Sequence, residues 1–585
     1  MILLSSVPYR WRYIIGFVIF SLVVLQSWFI THPHHPPGHN ELSVPTNDDQ
    51  TPPMPSNGFA SKLPTIQHPN VMTEPDPRRE AIVDAFRHAW AGYKEYAWTH
   101  DELKPVSKSF KDPFGGWGAS LVDGLSTLLV MGLEDEFREA LPELEKIEFH
   151  AFDGKVSVFE SIIRYLGGLL SAYELSNEQY PILLEKADEL GQALLPAFDT
   201  PSGLPTHEWN PARGKAPSNT TLIAEVGTVQ LEFFTLSRHT GKKIYAEKAQ
   251  AIVNFLENAG YEHGIYVPGL YPSGMQTTKG RFTDATCSFG AMGDSAYEYF
   301  LKEHILTDGA MPQYARLYTQ SIDSMKRYML RQLPGTRFLF LPPYDTRTDT
   351  LKKHMDHLTC FAPGMLAMGA KVLDRPEDMT IAKGLLEMCV YMYRSTSTGL
   401  CPENWVADDT EPYNPLTYTL SRDEIINAHD WWYNANANTP PARAVQPIGA
   451  STGEPPSLLS SKLPSAPLPR PNGLRVNDKR YLLRPETLES LYMLYRITGD
   501  PIYQEYGWEI FQAIEKYCKT EAGYASIINV EMARRGTNQL DSMESFLFAE
   551  TLKYLYLLFS PGNVISLDEY VFNTEAHPLV RRKWI

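Results

Sequence analysis

"RHTGKKIYAEKAQAIVNFLE" runs from Arg238 to Glu257, and "RITGDPIYQEYGWEIFQAIE" runs from Arg496 to Glu515. Arg, Thr-Gly, Ile-Tyr and Glu recur in register. Each copy predicts a helix that stops at Thr-Gly, a sharp turn and a second helix, because glycine accepts the left-handed backbone that ends a helix. A helical hairpin repeated so far along one chain predicts a solenoid or a closed α/α toroid. A ring of paired helices has an axial pocket where side chains from many helix ends converge.

Working outward, helical periodicity dominates from about residue 80. In "FESIIRYLGGLLSAYEL", Phe159, Ile162, Ile163, Leu166, Leu170 and Tyr173 form one apolar stripe. "MESFLFAETLKYLYLLF" behaves similarly. Alternation of the β type is scarce until "VISLDEYVF" near the end, which predicts a short strand. Residues 408–478 break the regularity: "NANANTPPARAVQPIGASTGEPPSLLSSKLPSAPLPRP" is too rich in Pro and Ser to pack and predicts a low-complexity surface insertion.

The N-terminal part is of another kind. Residues 13–30, "YIIGFVIFSLVVLQSWFI", are uncharged and close to the shortest length that spans a bilayer. Arg10 and Arg12 precede them and the next basic residue is Lys62, so the positive-inside rule predicts a cytoplasmic tail at 1–12 and a luminal chain beyond a signal-anchor. A cleaved signal peptide is the competing reading, but no small-residue cleavage site is evident. Residues 31–78, with "THPHHPPGHN" and "TPPMPSNG", predict a Pro-rich luminal stem, leaving 79–585 as the folded helical domain.

Of the 585 residues, 43% are hydrophobic and 12% aromatic, enough for a large core; the net charge of −16 argues against a nucleic-acid partner. The five cysteines lack zinc-like spacing, and a luminal location suits one or two disulfides. "NTT" at Asn219 is a glycosylation sequon.

Several acidic residues sit inside apolar helical stretches, where an unpaired charge is costly. Glu160 precedes Arg164 by four residues and shares its helix face. Glu225 lies in "LIAEVGTVQLEFF", Asp294 in "GAMGDSAYEYFL", Asp356 and His357 in "MDHLTCFAPG", and Glu550 in "ESFLFAETLKYL". Glu486 and Glu489 follow Arg484 and Pro485 in "LLRPETLESLYMLY". Any one of these is ordinarily a helix cap or a salt bridge. So many together suit acid/base chemistry on a sugar, a metal site, or both.

These segments, in order from "EYAWTHDELKP" through "SLVDGLSTLLVMGLEDEF", "AEVGTVQLEF" and "GDSAYEYFLK" to "FNTEAHPL", resemble glycoside hydrolase family 47, the class I α1,2-mannosidases of the secretory pathway. The resemblance implies an all-α (α/α)7 barrel plugged by a small C-terminal β-hairpin, behind a type II membrane anchor. It also implies an inverting, Ca2+-dependent hydrolase of high-mannose N-glycans in the Golgi or endoplasmic reticulum membrane. Family catalytic carboxylates fall on Glu160, Asp294 and Glu486. Glu486 matches the base, and Glu160 or Asp294 the proton donor. Calcium would be held directly by Thr574, and through water by Glu225, Glu486, Glu489, Glu550 and Glu575. Arg164, Met292, His357, Arg484 and Phe546 match sugar-contacting or site-lining positions, and the family disulfide falls on Cys360 and Cys389. The narrow-specificity subclass has Arg where this chain has Met292, so the resemblance is to Golgi-type or fungal enzymes that remove several mannoses. Two rival expectations share the fold: a quality-control factor that recognises glycans on misfolded glycoproteins without cleaving them, and an anchored scaffold with no site.

Overall fold

The structure, a computed structural model, describes residues 61–418, 467–534 and 536–581. The expected tail, the anchor at 13–30 and most of the stem lie outside these residues. Among the described residues no helix is long and apolar enough to cross a membrane.

Both copies of the sequence echo fold as predicted. Helix Gln230–Thr240 stops at Gly241 (φ 71°) and Lys243–Asn258 follows; helix Glu486–Thr498 stops at Gly499 (φ 69°) and Ile502–Tyr517 follows. The first helix of each pair is buried almost all round, as in Glu486–Thr498, where all residues from Glu486 to Ile497 are buried. A helix with no polar face must be inside. The outer helices are amphipathic. Pro312–Tyr328 buries Tyr314, Leu317, Tyr318, Ser321, Ile322 and Met325, a single stripe at helical spacing.

The inner helices pack in chain order: Ala119–Val130, Gly167–Leu175, Gln230–Thr240, Asp294–Leu306, Ala362–Val372, Glu486–Thr498 and Leu552–Leu558, with each touching the next. The turn Leu547–Thr551 that leads into the last of them packs back on Ala119–Val130 and closes the ring. Seven outer helices, Arg78–Tyr96, Glu134–Leu144, Pro181–Leu194, Lys243–Asn258, Pro312–Tyr328, Pro376–Arg394 and Ile502–Tyr517, lie against them. The described residues thus form a seven-pair α/α toroid. A disulfide joins Cys360 to Cys389, tying the entrance of Ala362–Val372 to its outer partner; Cys287, Cys401 and Cys518 are buried thiols.

The hairpin of Tyr570–Phe572 and Pro578–Val580 is wholly buried and packs on Asp294–Leu306 and Gly167–Leu175. It plugs the ring, as the family resemblance implies. Its tip is held by Asn573, whose side chain donates to the Ile163 carbonyl (2.9 Å) and accepts from the N–H groups of Glu575 (3.0 Å) and His577 (2.8 Å).

Three expectations need correction. The fold is mainly rather than purely helical: besides the C-terminal hairpin, loops between helices among the described residues pair into six small antiparallel sheets of two or three strands. The stem does not extend to residue 78 as free chain. Ile66 and Val71 give residues 61–77 apolar anchors, the Ile66 N–H donates to the Asp568 carboxylate (2.6 Å), and Arg496 reaches Gln67 (3.0 Å). The insertion is also shorter than 408–478. Leu474–Asp478 pairs with Asn404–Ala407, and the buried Tyr418 donates to the Arg337 carbonyl (2.8 Å). The alternating apolar residues Leu474 and Val476 make the strand; the Pro- and Ser-rich centre lies outside the described residues.

Candidate active site

Each carboxylate is delivered by a distinctive local backbone. The Ser157 hydroxyl caps the Glu160 N–H (3.2 Å), and the chain then makes a wide π-type turn over Ser161–Leu166 that carries Arg164. A second π-type turn, Leu547–Thr551, carries Glu550. Such turns cluster at functional sites because they re-aim side chains within a helix. Asp294 and Glu486 each open an inner helix, where the backbone dipole favours an anion. Left-handed backbone precedes both, at Met292 (φ 71°) and Leu483 (φ 62°), a strain that well-packed surroundings must support. The flanking glycines of "GAMGD" are required by close approach. A Cβ on Gly290 would sit 2.6 Å from Thr359 Oγ1, and one on Gly293 would sit 2.2 Å from the Ser288 carbonyl.

These segments line one cavity of about 320 Å³. Glu160, Arg164, Glu225, Met292, Asp294, Arg484, Glu486, Glu489, Phe546, Glu550, Thr574 and Glu575 all face it. Met292 is the large apolar residue at its mouth and is 52% exposed. His357 does not line it. It is fully buried behind the wall, with Nε2 within hydrogen-bond distance of Thr487 Oγ1 (3.1 Å) and Tyr393 OH (3.2 Å), and burial holds its pKa well below the usual imidazole range. A neutral His357 beside Thr487 supports the helix start that carries Glu486, so among the expected site residues His357 stands behind the cavity wall rather than on it. A larger, open groove of about 800 Å³ over Pro312–Tyr328 shares none of these residues.

The electrostatics of the cavity are lopsided. Eight carboxyl groups line it, those named above and Glu298, against the guanidiniums of Arg164 and Arg484. Arg164 donates Nε–H to Glu160 (2.7 Å) and pairs with Glu575, while its plane lies 4.8 Å from the Phe114 ring centre. Arg484 pairs with Glu403 (3.0 Å) and stands 3.6 Å from Glu486. Two cations do not offset eight acids. Burial pushes Asp294 and Glu486 up to about 7, despite the counter-pull of a backbone N–H on Asp294 and of Arg484 on Glu486. Burial, reinforced by the neighbouring acids, drives Glu550 and Glu575 well above the carboxylate range. Glu489 rises for the same reason, although Lys302 Nζ lies 3.4 Å away. Glu486 Oε2 is buried with no hydrogen-bond partner.

Desolvated carboxylates that outnumber the cations beside them, gathered around Thr574, fit a hard dication. Among the described residues no three His, Cys, Asp or Glu side chains converge as a direct ligand set. The residues that could hold an ion are Thr574, which lines the cavity, and the carboxylates around it, a set compatible with an ion that keeps much of its water.

Sequence reading missed several supporting groups. Lys302 and Glu298 form a buried pair on the Asp294 helix, and their i, i+4 spacing was visible. Glu403, which clamps Arg484, and Asp123, which accepts from Ser545 (2.5 Å) and lies 3.2 Å from His577 Nε2, gave no local signal because their partners are distant in sequence.

A carboxylate-rich cavity in a helical toroid suits acid/base chemistry, and comparison with known proteins makes the class definite. The sequence profile of glycosyl hydrolase family 47 matches residues 85–581, and the chain belongs to that family. It is 37% identical over 511 residues to the endoplasmic reticulum mannosyl-oligosaccharide 1,2-alpha-mannosidase of Homo sapiens, covering 86% of this chain and 64% of that protein's length. It is 36% identical over 513 residues to mannosyl-oligosaccharide 1,2-alpha-mannosidase MNS1 of Arabidopsis thaliana, covering 86% and 78%. The solved alpha-1,2-mannosidase from Trichoderma reesei superposes with a TM-score of 0.73 at 32% identity, covering 87% of this chain and all of that one.

Proposed function

We propose that this protein is a Ca2+-dependent, inverting mannosyl-oligosaccharide 1,2-α-mannosidase that trims high-mannose N-glycans in the secretory pathway. The observation that carries the proposal is the convergence of Glu160, Asp294 and Glu486 on one cavity with Arg164 and Arg484 between acids. Relatives whose names state this activity support it.

In this reading Glu486 is the general base. A carboxylate raised to about 7 takes a proton from water more readily than an ordinary one. The leaving oxygen receives its proton from Asp294 or Glu160. Asp294 retains a proton up to about pH 7, while Glu160 has one oxygen on Arg164 and a side chain 27% exposed. Inversion requires the base and acid to lie far enough apart, roughly 6.5–9.5 Å, for a water to attack the opposite face. Phe546, against which Arg484 (5.7 Å) and Arg164 (6.0 Å) rest, offers an apolar surface to a sugar ring. Thr574, with Glu225, Glu489, Glu550 and Glu575 behind a water shell, would hold calcium, which when bound polarises water and sugar hydroxyls. Residence in the Golgi or endoplasmic reticulum membrane, through an anchor at 13–30, belongs to the same proposal.

The test is incubation of the full chain with a nine-mannose glycan and Ca2+, following free mannose and its anomeric form. Release of α1,2-linked mannose with inversion is expected. Tight binding without release would replace the enzyme with a glycan-recognising factor.

A further inference from the structure

Glu225 owes its orientation to a residue outside the cavity lining. Its Oε2 accepts from the Thr221 hydroxyl (3.1 Å) and the Leu222 N–H (3.1 Å), both on the short strand just before its own helix. Its Oε1 lies 2.6 Å from Nδ1 of His207, eighteen residues away. The main chain of His207 also joins two wall segments. Its N–H donates to the Thr220 carbonyl (3.3 Å), and its carbonyl accepts from the Val158 N–H (3.1 Å). Thr220 opens the strand that leads to Glu225, and Val158 opens the turn that carries Glu160. His207 therefore stands where the Glu160 segment crosses the Glu225 segment. Its side chain is 45% exposed, whereas that of Glu225 is 9% exposed.

We propose that His207 is a positioning residue for glycan hydrolysis, donating Nδ1–H to Glu225 and so fixing the hydrogen-bonding face that Glu225 turns to the substrate side of the cavity. The inference rests on the mannosidase reading above. Donation to a carboxylate sets the imidazole tautomer, as second partners do for many functional carboxylates and histidines. With Oε2 held by two donors and Oε1 by one, Glu225 cannot rotate about its terminal bond. The free lone pairs then point one way. Without His207, Oε1 gains water and the carboxylate can swing, which loosens the ground-state grip on a hydroxyl-rich ligand, whether Glu225 meets its hydroxyls directly or through ordered water.

Substitutions separate this role from simple packing. Asparagine places an N–H near the position of Nδ1, whereas glutamine places one near Nε2. His207→Ala and His207→Gln should raise KM for the nine-mannose glycan about tenfold, the worth of one charge-assisted hydrogen bond, with kcat changed less than about threefold. His207→Asn should restore KM to within about threefold of the unsubstituted protein. In a Glu225→Gln background, His207→Ala should add no more than about twofold, because the two residues act as one unit. The same series is read by calorimetry with a non-cleavable α1,2-linked mannobiose. If His207→Asn is as impaired as His207→Ala, or if the Ala effect falls on kcat with KM unchanged, the positioning role is wrong. Should His207→Ala fail to fold, the Asn and Gln variants decide alone: equal KM values refute the proposal. An unsubstituted protein that neither cleaves nor binds these mannosides overturns the mannosidase reading itself, and the His207 inference with it.

Discussion

Glu303 lies on the Asp294–Leu306 helix, fully buried, and neither of its carboxyl oxygens has a hydrogen-bond partner. Burial, with Glu232 adding to it and Arg238 opposing, raises its pKa from 4.5 to about 8. Replacement by glutamine keeps the shape and removes the ionisation. The unfolded chain ionises this group near its ordinary value, so between that value and about pH 8 the folded state binds the extra proton and stability falls as pH rises. At 1.36 kcal/mol per pH unit, keeping the carboxyl folded above pH 8 costs up to about 5 kcal/mol, and water entry with local relaxation reduces this to about 1–3 kcal/mol. Glu303→Gln should therefore match the unsubstituted protein at pH 5 and exceed it at pH 8.5. For a folded domain of about 500 residues the unfolding entropy is roughly 1 kcal/mol per degree, so the gain in Tm is about 1–3 °C. The assay is a pair of melting series from pH 5 to 8.5 at a fixed scan rate. A difference independent of pH, or a variant that loses ground as pH rises, would show Glu303 ionised and satisfied in the fold, and the reasoning would fail.

Three further outcomes are expected. Glu486→Gln should lower turnover by about 10²–10⁴ with glycan binding largely retained, and a variant keeping a tenth of the activity would remove Glu486 as base. Thr574→Val should erase most of the difference in Tm between excess calcium and a chelator, because an ion that binds only the folded state stabilises it; an equal shift in both proteins would place the ion elsewhere. The unsubstituted enzyme should remove several mannoses from a nine-mannose glycan and Met292→Arg should narrow the products, since a forked guanidinium clamps hydroxyls that an exposed thioether cannot; a digest of the unsubstituted enzyme that stops after one mannose counts against this.

The inner helices were legible in the sequence because a helix buried on all sides must be apolar all round, and the Thr-Gly breaks at Gly241 and Gly499 mark their ends. Acids stranded in such helices mark the site in the sequence, and twelve of the expected residues meet in one cavity. The family resemblance put His357 at a sugar-contacting or site-lining position, but a sequence match carries no side-chain direction, and the ring turns to Thr487 behind the wall. The boundaries of the stem and insertion failed for a different reason. Composition averages over a window, whereas Ile66, Tyr418 and Leu474 each fix a polar stretch with one buried side chain. His207 left no sequence trace because its partner lies across a loop.

Ring closure has a temporal side. The cavity draws on residues from Glu160 to Glu575, and the ring shuts only when the turn at Leu547–Thr551 finds the helix at Ala119–Val130. Contacts of such long sequence separation form late, after the entropy of a very large loop has been spent. The hairpin tip that presents Thr574 packs inside that closed ring. Partial folding therefore yields no partial cavity. The assembled cavity, and turnover with it, should therefore appear only once the ring has closed.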